Sequence, residues 1–378
     1  MIDDMIRRLA VVIIICQFVN LSICQFAMAQ DMQSLSLRKG NMEMSVINYG
    51  ARIQTLKFAG QDMVLGFDTL SHYAQKKQNF GAIVGRYIGR IISGKLPCSY
   101  LNANPNHNRK KSTCKRKGEA FIQLQVGANG DCSHGGNPGF SQQYWQLVAH
   151  TDSSCVLRFV SPDGENGFPG ELTLDVTYTL QHDALRIDYS AATTKPTVLN
   201  PSNHSFFNLS ANLGDTVLDE LLWINSDSTA IYDKDKRVTG FLASVTDTPF
   251  DFRQPTAIGS RIGSNNEQLL VTKGYDHCYK LRNSRPLVTP VARLSDLSTG
   301  ISMEVLTTEP AMQIYTANSH NGSIKGKQGI PYIKQNAICF ETMHFPDSPN
   351  NPQWPTTLLR PGETFHSTTI YRFSLISD

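Results

Sequence analysis

Long apolar runs are scarce in this 378-residue sequence, and no segment reaches the ~18 uninterrupted apolar residues that a spanning helix requires. Charge of one sign is also lacking: the formal net charge is +3 and only 18% of residues are charged, so composition points to no nucleic-acid or membrane partner. No sustained helical period, no repeat of ~20–50 residues and no Pro/Ser-rich linker occurs, which excludes bundles and solenoids. There is no H-E-x-x-H, so a compact zinc site is not indicated, and no G-x-S-x-G nucleophile elbow. The glycine-studded stretch 79–95, which carries Arg86 and Arg90, lacks the lysine spacing of a phosphate loop, and its glycines read as places of close backbone approach.

What is present is short alternating segments broken by turn residues. Strands are expected at 43–47, 53–58, 63–67, 156–160, 172–178, 221–225, 288–294, 302–306, 313–316 and 364–374. The linking segments Asn48-Tyr49-Gly50 and Gly60-Gln61-Asp62 carry turn chemistry. The economical fold class is one large all-β domain of sandwich type, mostly antiparallel, with a barrel or two sandwiches left open.

Three features stand outside that pattern. Arg7 and Arg8 precede an apolar run over 9–15, and Ala27-Met28-Ala29 precedes Gln30, so residues 1–29 are expected to be a cleaved secretory signal and 30–378 the mature domain. That implies an exported protein, periplasmic or extracellular, with no membrane attachment after cleavage. Leu21-Ser22-Ile23-Cys24 is a lipoprotein-type alternative, against which the large Ile23 counts. Cys98, Cys114, Cys132, Cys155, Cys278 and Cys339 remain after cleavage. Cys98 and Cys114 bracket a loop and are the first expected pair, whereas Cys278 and Cys339, in apolar segments, are expected to be buried thiols. Around 102–118, Arg109, Lys110, Lys111, Lys115, Arg116 and Lys117 stand among Asn, Pro and Ser, reading as a solvated basic insertion.

The polar residues that interrupt apolar segments are Arg90, His134, His204, Asp276, Gln313 and Glu341. His204 lies in N-P-S-N-H-S-F-F-N-L (200–209), at the mouth of a β core; it is a candidate acid or base, or else a histidine that hydrogen-bonds a loop. His134 sits on a tight D-C-S-H-G-G turn (131–136) where a ligand could approach the backbone, or it caps that turn. Arg90 alternatively belongs to a structural ion pair, and Asp276 to its own turn. Glu341 is the hardest to explain without function, because an unpaired buried carboxylate is costly.

Ten blocks together carry a family resemblance: N-Y-G-A-R-I-Q-T-L, V-L-G-F-D, F-G-A-I-V-G-R, H-G-G, S-P-D-G-E-N-G-F-P-G, S-N-H-S-F-F-N-L, T-P-F-D-F-R, G-Y-D-H, T-T-E-P-A-M-Q-I-Y-T-A-N and E-T-M-H-F-P-D-S-P-N. In this order the sequence resembles the aldose 1-epimerase (galactose mutarotase) family over nearly the whole mature chain. The resemblance implies a β-supersandwich with one sugar site, no cofactor, and interconversion of the α and β anomers of hexoses such as glucose and galactose. It implies Glu341 as general base at the C1 hydroxyl and His204 as general acid at the ring oxygen. It further implies His134, Asp276, Arg90 and Gln313 as sugar-binding residues. A small-molecule hexose is the expected partner of a monomer or homodimer. An acid histidine needs a nearby anion, so Glu341 or Asp276 is expected to raise the pKa of His204 and to give a bell-shaped pH profile.

Two departures bear on substrate rather than reaction. Gly89 precedes Arg90 where the family commonly has Asn, and Asp131-Cys132-Ser133 precede His134 where it usually has N-H-L. They leave two alternatives: a non-catalytic exported carbohydrate-binding protein, and an epimerase for a phosphorylated or modified sugar with the basic insertion as phosphate contact.

Overall fold

A computed structural model describes residues 31–76, 78–103, 120–282 and 287–376. The expected signal segment and all but the first residues of the basic insertion, Cys114 included, lie outside the described residues. Cys98 is disulfide-bonded, while Cys132, Cys155, Cys278 and Cys339 are buried free thiols.

Alternation in the sequence becomes antiparallel pairing throughout the larger sheets. Leu172–Leu180 alternates buried and half-buried positions along its full length, with Leu172, Leu174, Val176 and Tyr178 turned inward. It belongs to a nine-stranded sheet whose order is Gln146–His150, Ser154–Ser161, Leu172–Leu180, Ala184–Thr193, Phe365–Leu375, Ile301–Thr307, Ala292–Asp296, Leu221–Ile224 and Thr256–Ala257. A six-stranded sheet runs Phe206–Phe207, Ile338–Met343, Ala311–Tyr315, Asp276–Leu281, Ser226–Tyr232 and Val238–Ser244. A smaller sheet, Ser34–Lys39, Met42–Ile47, Arg52–Phe58 and Gln61–Asp62, adds its inward face to the same core. Gln33–Asp378 form one compact unit. The four described α-helices are six residues or shorter.

The inner strands of the six-stranded sheet, Ile338–Met343 and Ala311–Tyr315, are buried on both faces, and this positions the site. Along Ile338–Met343 every residue is buried. Its Ile338 and Phe340, with Met312 and Ile314 of the neighbouring strand, join Val176, Tyr178 and Tyr371 of the nine-stranded sheet in one apolar core. Full burial of each such side chain contributes ~1.5–3 kcal/mol. Tyr371 Oη donates to Phe340 O at 3.0 Å and the Thr342 and Thr369 hydroxyls meet at 2.6 Å, tying the two sheets face to face. The alternate residues of the same strands, Glu341 and Gln313 among them, are therefore turned the other way.

Two strand expectations are corrected. Residues 63–67 form no strand beyond an isolated bridge from Val64 to Phe207. Met63 N and Leu65 N still donate to the Leu56 and Phe206 carbonyls, but at the end of the segment tyrosine hydroxyls replace the ladder: Gly66 N donates to Tyr332 Oη at 3.1 Å and Phe67 N to Tyr73 Oη at 2.9 Å. The segment expected at 288–294 pairs only from Ala292 to Asp296, because Pro290 has no N–H to give a ladder and Val288 lies in an exposed turn.

Candidate active site

All six residues singled out in the sequence line one cavity of about 400 Å³. Glu341 and Gln313 are register partners on adjacent strands, Asp276 starts the next strand opposite Tyr315, and the pleat turns these side chains to the same face. His204 ends the short strand Ser202–His204, which pairs with Ala82–Val84 of the glycine-studded stretch. Arg90 pairs with Ser133 in a two-stranded ladder that delivers His134 to the cavity rim.

The central contact is between His204 Nε2 and Glu341 Oε1, 3.2 Å apart, with both side chains more than nine-tenths buried. Burial, with His134 as a secondary influence, lowers the His204 pKa to about 3. Burial and then the Asp276 carboxylate push Glu341 up to about 8. The expectation that a neighbouring carboxylate raises His204 is thus corrected: burial opposes charge on both groups, lowering the imidazole and raising the carboxyl. Between those limits the pair carries one ionisable proton across the 3.2 Å contact.

Asp276 does not serve its own turn. Its Oδ1 accepts from Gln313 Nε2 at 2.7 Å, and Gln313 Oε1 accepts from Tyr232 Oη at 3.0 Å, so a chain of three side chains crosses the sheet toward the cavity. Burial raises the Asp276 carboxyl above its ordinary range. Arg90 lines the cavity while its Nη1 donates to Asp235 O at 2.9 Å and stands 3.5 Å from Asp131 Oδ2, combining the two readings given to it. Arg86, by contrast, is structural: wholly buried, it donates to Pro169 O and Gly170 O at 3.0 and 2.9 Å.

His134 has a left-handed backbone, and burial with the nearby Arg90 charge lowers its pKa to about 4, which keeps the ring neutral. Its Nδ1 is buried without a hydrogen-bond partner. The glycines after it are explained by the protein rather than by a ligand: a Cβ on Gly135 would lie 2.0 Å from Gly85 O. The close approach there is between two segments of backbone.

Tyr232, Tyr315, His320 and Lys236 also line the cavity and had no separate signal in the sequence. His320 stacks on Phe206 at 5.4 Å, and Phe206 on His204 at 5.0 Å, so the apolar pair beside His204 forms an aromatic wall for it. His204, Cys339 and Glu341 are the one group of three metal-capable side chains among the described residues, with donor atoms within 4.8 Å of one another. Cys339 Sγ lies 3.6 Å from Nδ1 of the imidazole and Glu341 Oε1 lies 3.2 Å from Nε2.

The match to known proteins covers nearly all of the described fold. Residues 33–372 match the family model for aldose 1-epimerase. The chain belongs to the aldose 1-epimerase family. Galactose mutarotase from Mus musculus is 35% identical over 348 residues, covering 91% of this chain and 94% of the relative. Aldose 1-epimerase from Escherichia coli K12 is 31% identical over 353 residues, with 91% and 96% covered. Among solved structures, an aldose epimerase homologue from C. elegans superposes with a TM-score of 0.79 at 25% identity, over 92% of this chain and all of the other. Galactose 1-epimerase from Lactobacillus acidophilus gives 0.77 at 26% identity, over 92% and 96%. The expected all-β, galactose mutarotase-like architecture is thereby borne out, and an epimerase of this family is an isomerase.

Proposed function

We propose that this aldose 1-epimerase interconverts the α and β anomers of hexoses such as glucose and galactose by ring opening and reclosure. The observation that carries the reading is the buried His204–Glu341 pair, 3.2 Å apart and lining a cavity of sugar size. On binding, the shared proton passes from Glu341 to His204. The Glu341 carboxylate then takes the proton from the C1 hydroxyl as the C1–O5 bond breaks, and His204 Nε2 gives its proton to O5. The product is the free aldehyde, and the pair is back in its resting proton arrangement. Rotation about C1–C2 and the reverse transfers close the ring from the other face. Asp276, Gln313, Arg90 and His134 hold and orient the sugar, since desolvated hydroxyls need fixed, partly charged partners. Polarimetry of freshly dissolved α-D-glucose and α-D-galactose tests the proposal: the protein accelerates the approach to equilibrium rotation, and failure with both sugars despite retained binding would leave only a carbohydrate-binding role.

The phosphorylated-sugar alternative has one observation in its favour: Lys236 lines the cavity. Competition by hexose 6-phosphates separates the two readings, and indifference to them removes the alternative. We also propose that the protein acts after export, on the strength of the leader pattern at 1–29. A mature N-terminus at Gln30 supports this, and a cytoplasmic chain that keeps Met1 rejects it.

A further inference from the structure

One strand presents two polar side chains to the His204 ring. Nε2 lies 3.2 Å from Glu341 Oε1, and Nδ1 lies 3.6 Å from Cys339 Sγ. Cys339 and Glu341 are two residues apart on Ile338–Met343, so the pleat turns both to the same side. This strand is interior to its sheet, and Cys339 itself pairs with Phe206 on one flank and Tyr315 on the other. The sulfur is thus held as firmly as the carboxylate, and the Phe206 ring stacked on His204 restricts rotation of the imidazole.

A neutral imidazole carries its proton on one nitrogen, and the partner of the other nitrogen decides which. An imidazole that is to take up a proton at Nε2 and pass it to the ring oxygen must hold its own proton on Nδ1, the nitrogen that faces Cys339 Sγ. A carboxylate facing Nδ1 would fix that tautomer but would also make the ring a stronger base and a weaker acid. A thiol is a weak, neutral acceptor, and burial keeps Cys339 from ionising by pushing it well above its ordinary range. We propose that Cys339 is a positioning residue whose sulfur accepts the Nδ1–H of His204, fixing the tautomer that leaves Nε2, the nitrogen beside Glu341, free to take up the proton it delivers to the sugar. This rests on the acid role proposed for His204, and it gives a reason for a fully buried thiol beside the reacting pair.

The test compares Cys339→Ala, Cys339→Val and Cys339→Ser with the wild type, using ¹⁵N-histidine NMR for the tautomer, polarimetry for kcat and KM, and thermal unfolding for packing. The wild type shows His204 protonated at Nδ1. In the Ala and Val variants this signal moves toward a tautomer mixture and kcat falls about tenfold, the scale of one net hydrogen bond. KM stays put, and Ser, which restores an acceptor, returns both readouts to near wild type. A residue that only packs would move the unfolding temperature and leave tautomer and kcat unchanged; that result, or a wild type protonated at Nε2, overturns the proposal. If the wild type did not interconvert anomers, the function proposed above would fall, while the ¹⁵N spectra would still decide whether Cys339 sets the tautomer.

Discussion

Asp276→Asn moves the alkaline limb of the pH profile to lower pH. Glu341 is held up to about 8 by burial first and by the Asp276 carboxylate second, and the substitution removes the second influence alone. Asparagine keeps the oxygen that accepts from Gln313 Nε2, so the side-chain chain across the sheet survives. Two strand steps separate the residues, from Asp276–Leu281 through Ala311–Tyr315 to Ile338–Met343. At ~4.8 Å per step, with Glu341 two residues along from Cys339 on the line through Asp276 and Tyr315, the two positions are roughly 12 Å apart. With an effective dielectric constant of ~20, that separation corresponds to about 1.4 kcal/mol, or about one pH unit on Glu341. Above the limb the His204–Glu341 pair has lost its single proton and no acid remains. The assay is kcat/KM by polarimetry from about pH 6 to pH 10, which reports the free enzyme, with the hydroxide-catalysed background subtracted. A limb that stays in place, or moves upward, refutes the argument that Asp276 helps Glu341 keep its proton. A reduced overall rate does not affect the test, because the position of the limb is what is read.

Other outcomes follow from the same structure. Gly135→Ala places a Cβ against Gly85 O in a left-handed backbone and destabilises the fold by ~2–4 kcal/mol, read from the urea midpoint; an unchanged midpoint would mean that the two segments separate freely. Glu220 is buried, with Oε1 accepting from Leu209 N at 2.8 Å, and burial raises it to about 8. A carboxyl raised in the fold contributes stability that is present below its ordinary value near 4.5 and is lost as pH rises through about 8. Wild-type stability should therefore fall more steeply than that of Glu220→Gln between about pH 5 and pH 9, and parallel curves would contradict this. Tyr232→Phe removes the hydroxyl that donates to Gln313 Oε1 and should raise KM several-fold with little change in kcat, whereas a pure kcat effect would assign Tyr232 to the chemistry instead.

Much of this was legible in the sequence because a β-sandwich writes its faces with period two. Leu172–Leu180 shows its inward residues directly, and the same rule separates Glu341 and Cys339 from Phe340 on a strand with no exposed position. All six sequence-predicted cavity residues stood out as polar breaks in apolar segments, and the resemblance supplied the roles expected of them. Residues 63–67 misled because full burial looks like a strand even when scattered carbonyls, a carboxylate and tyrosine hydroxyls satisfy the backbone. Tyr232, His320 and Lys236 were silent because their segments meet the cavity only through tertiary packing, and local pattern carries no such information. The expected rise of His204 failed for a related reason: burial opposes charge on both members of the pair, and spacing does not encode depth.

The account's central claim is that Glu341 and His204 exchange protons with the sugar as its ring opens. The most direct measurement is NMR exchange spectroscopy on an equilibrium mixture of α- and β-D-galactose with the wild type, Glu341→Gln and His204→Gln, each checked for folding. The account predicts fast exchange between anomeric signals with the wild type and a loss of about 10³-fold or more in each variant, as expected when either member of an acid–base pair is removed. Undiminished exchange in a folded Glu341→Gln protein would contradict it.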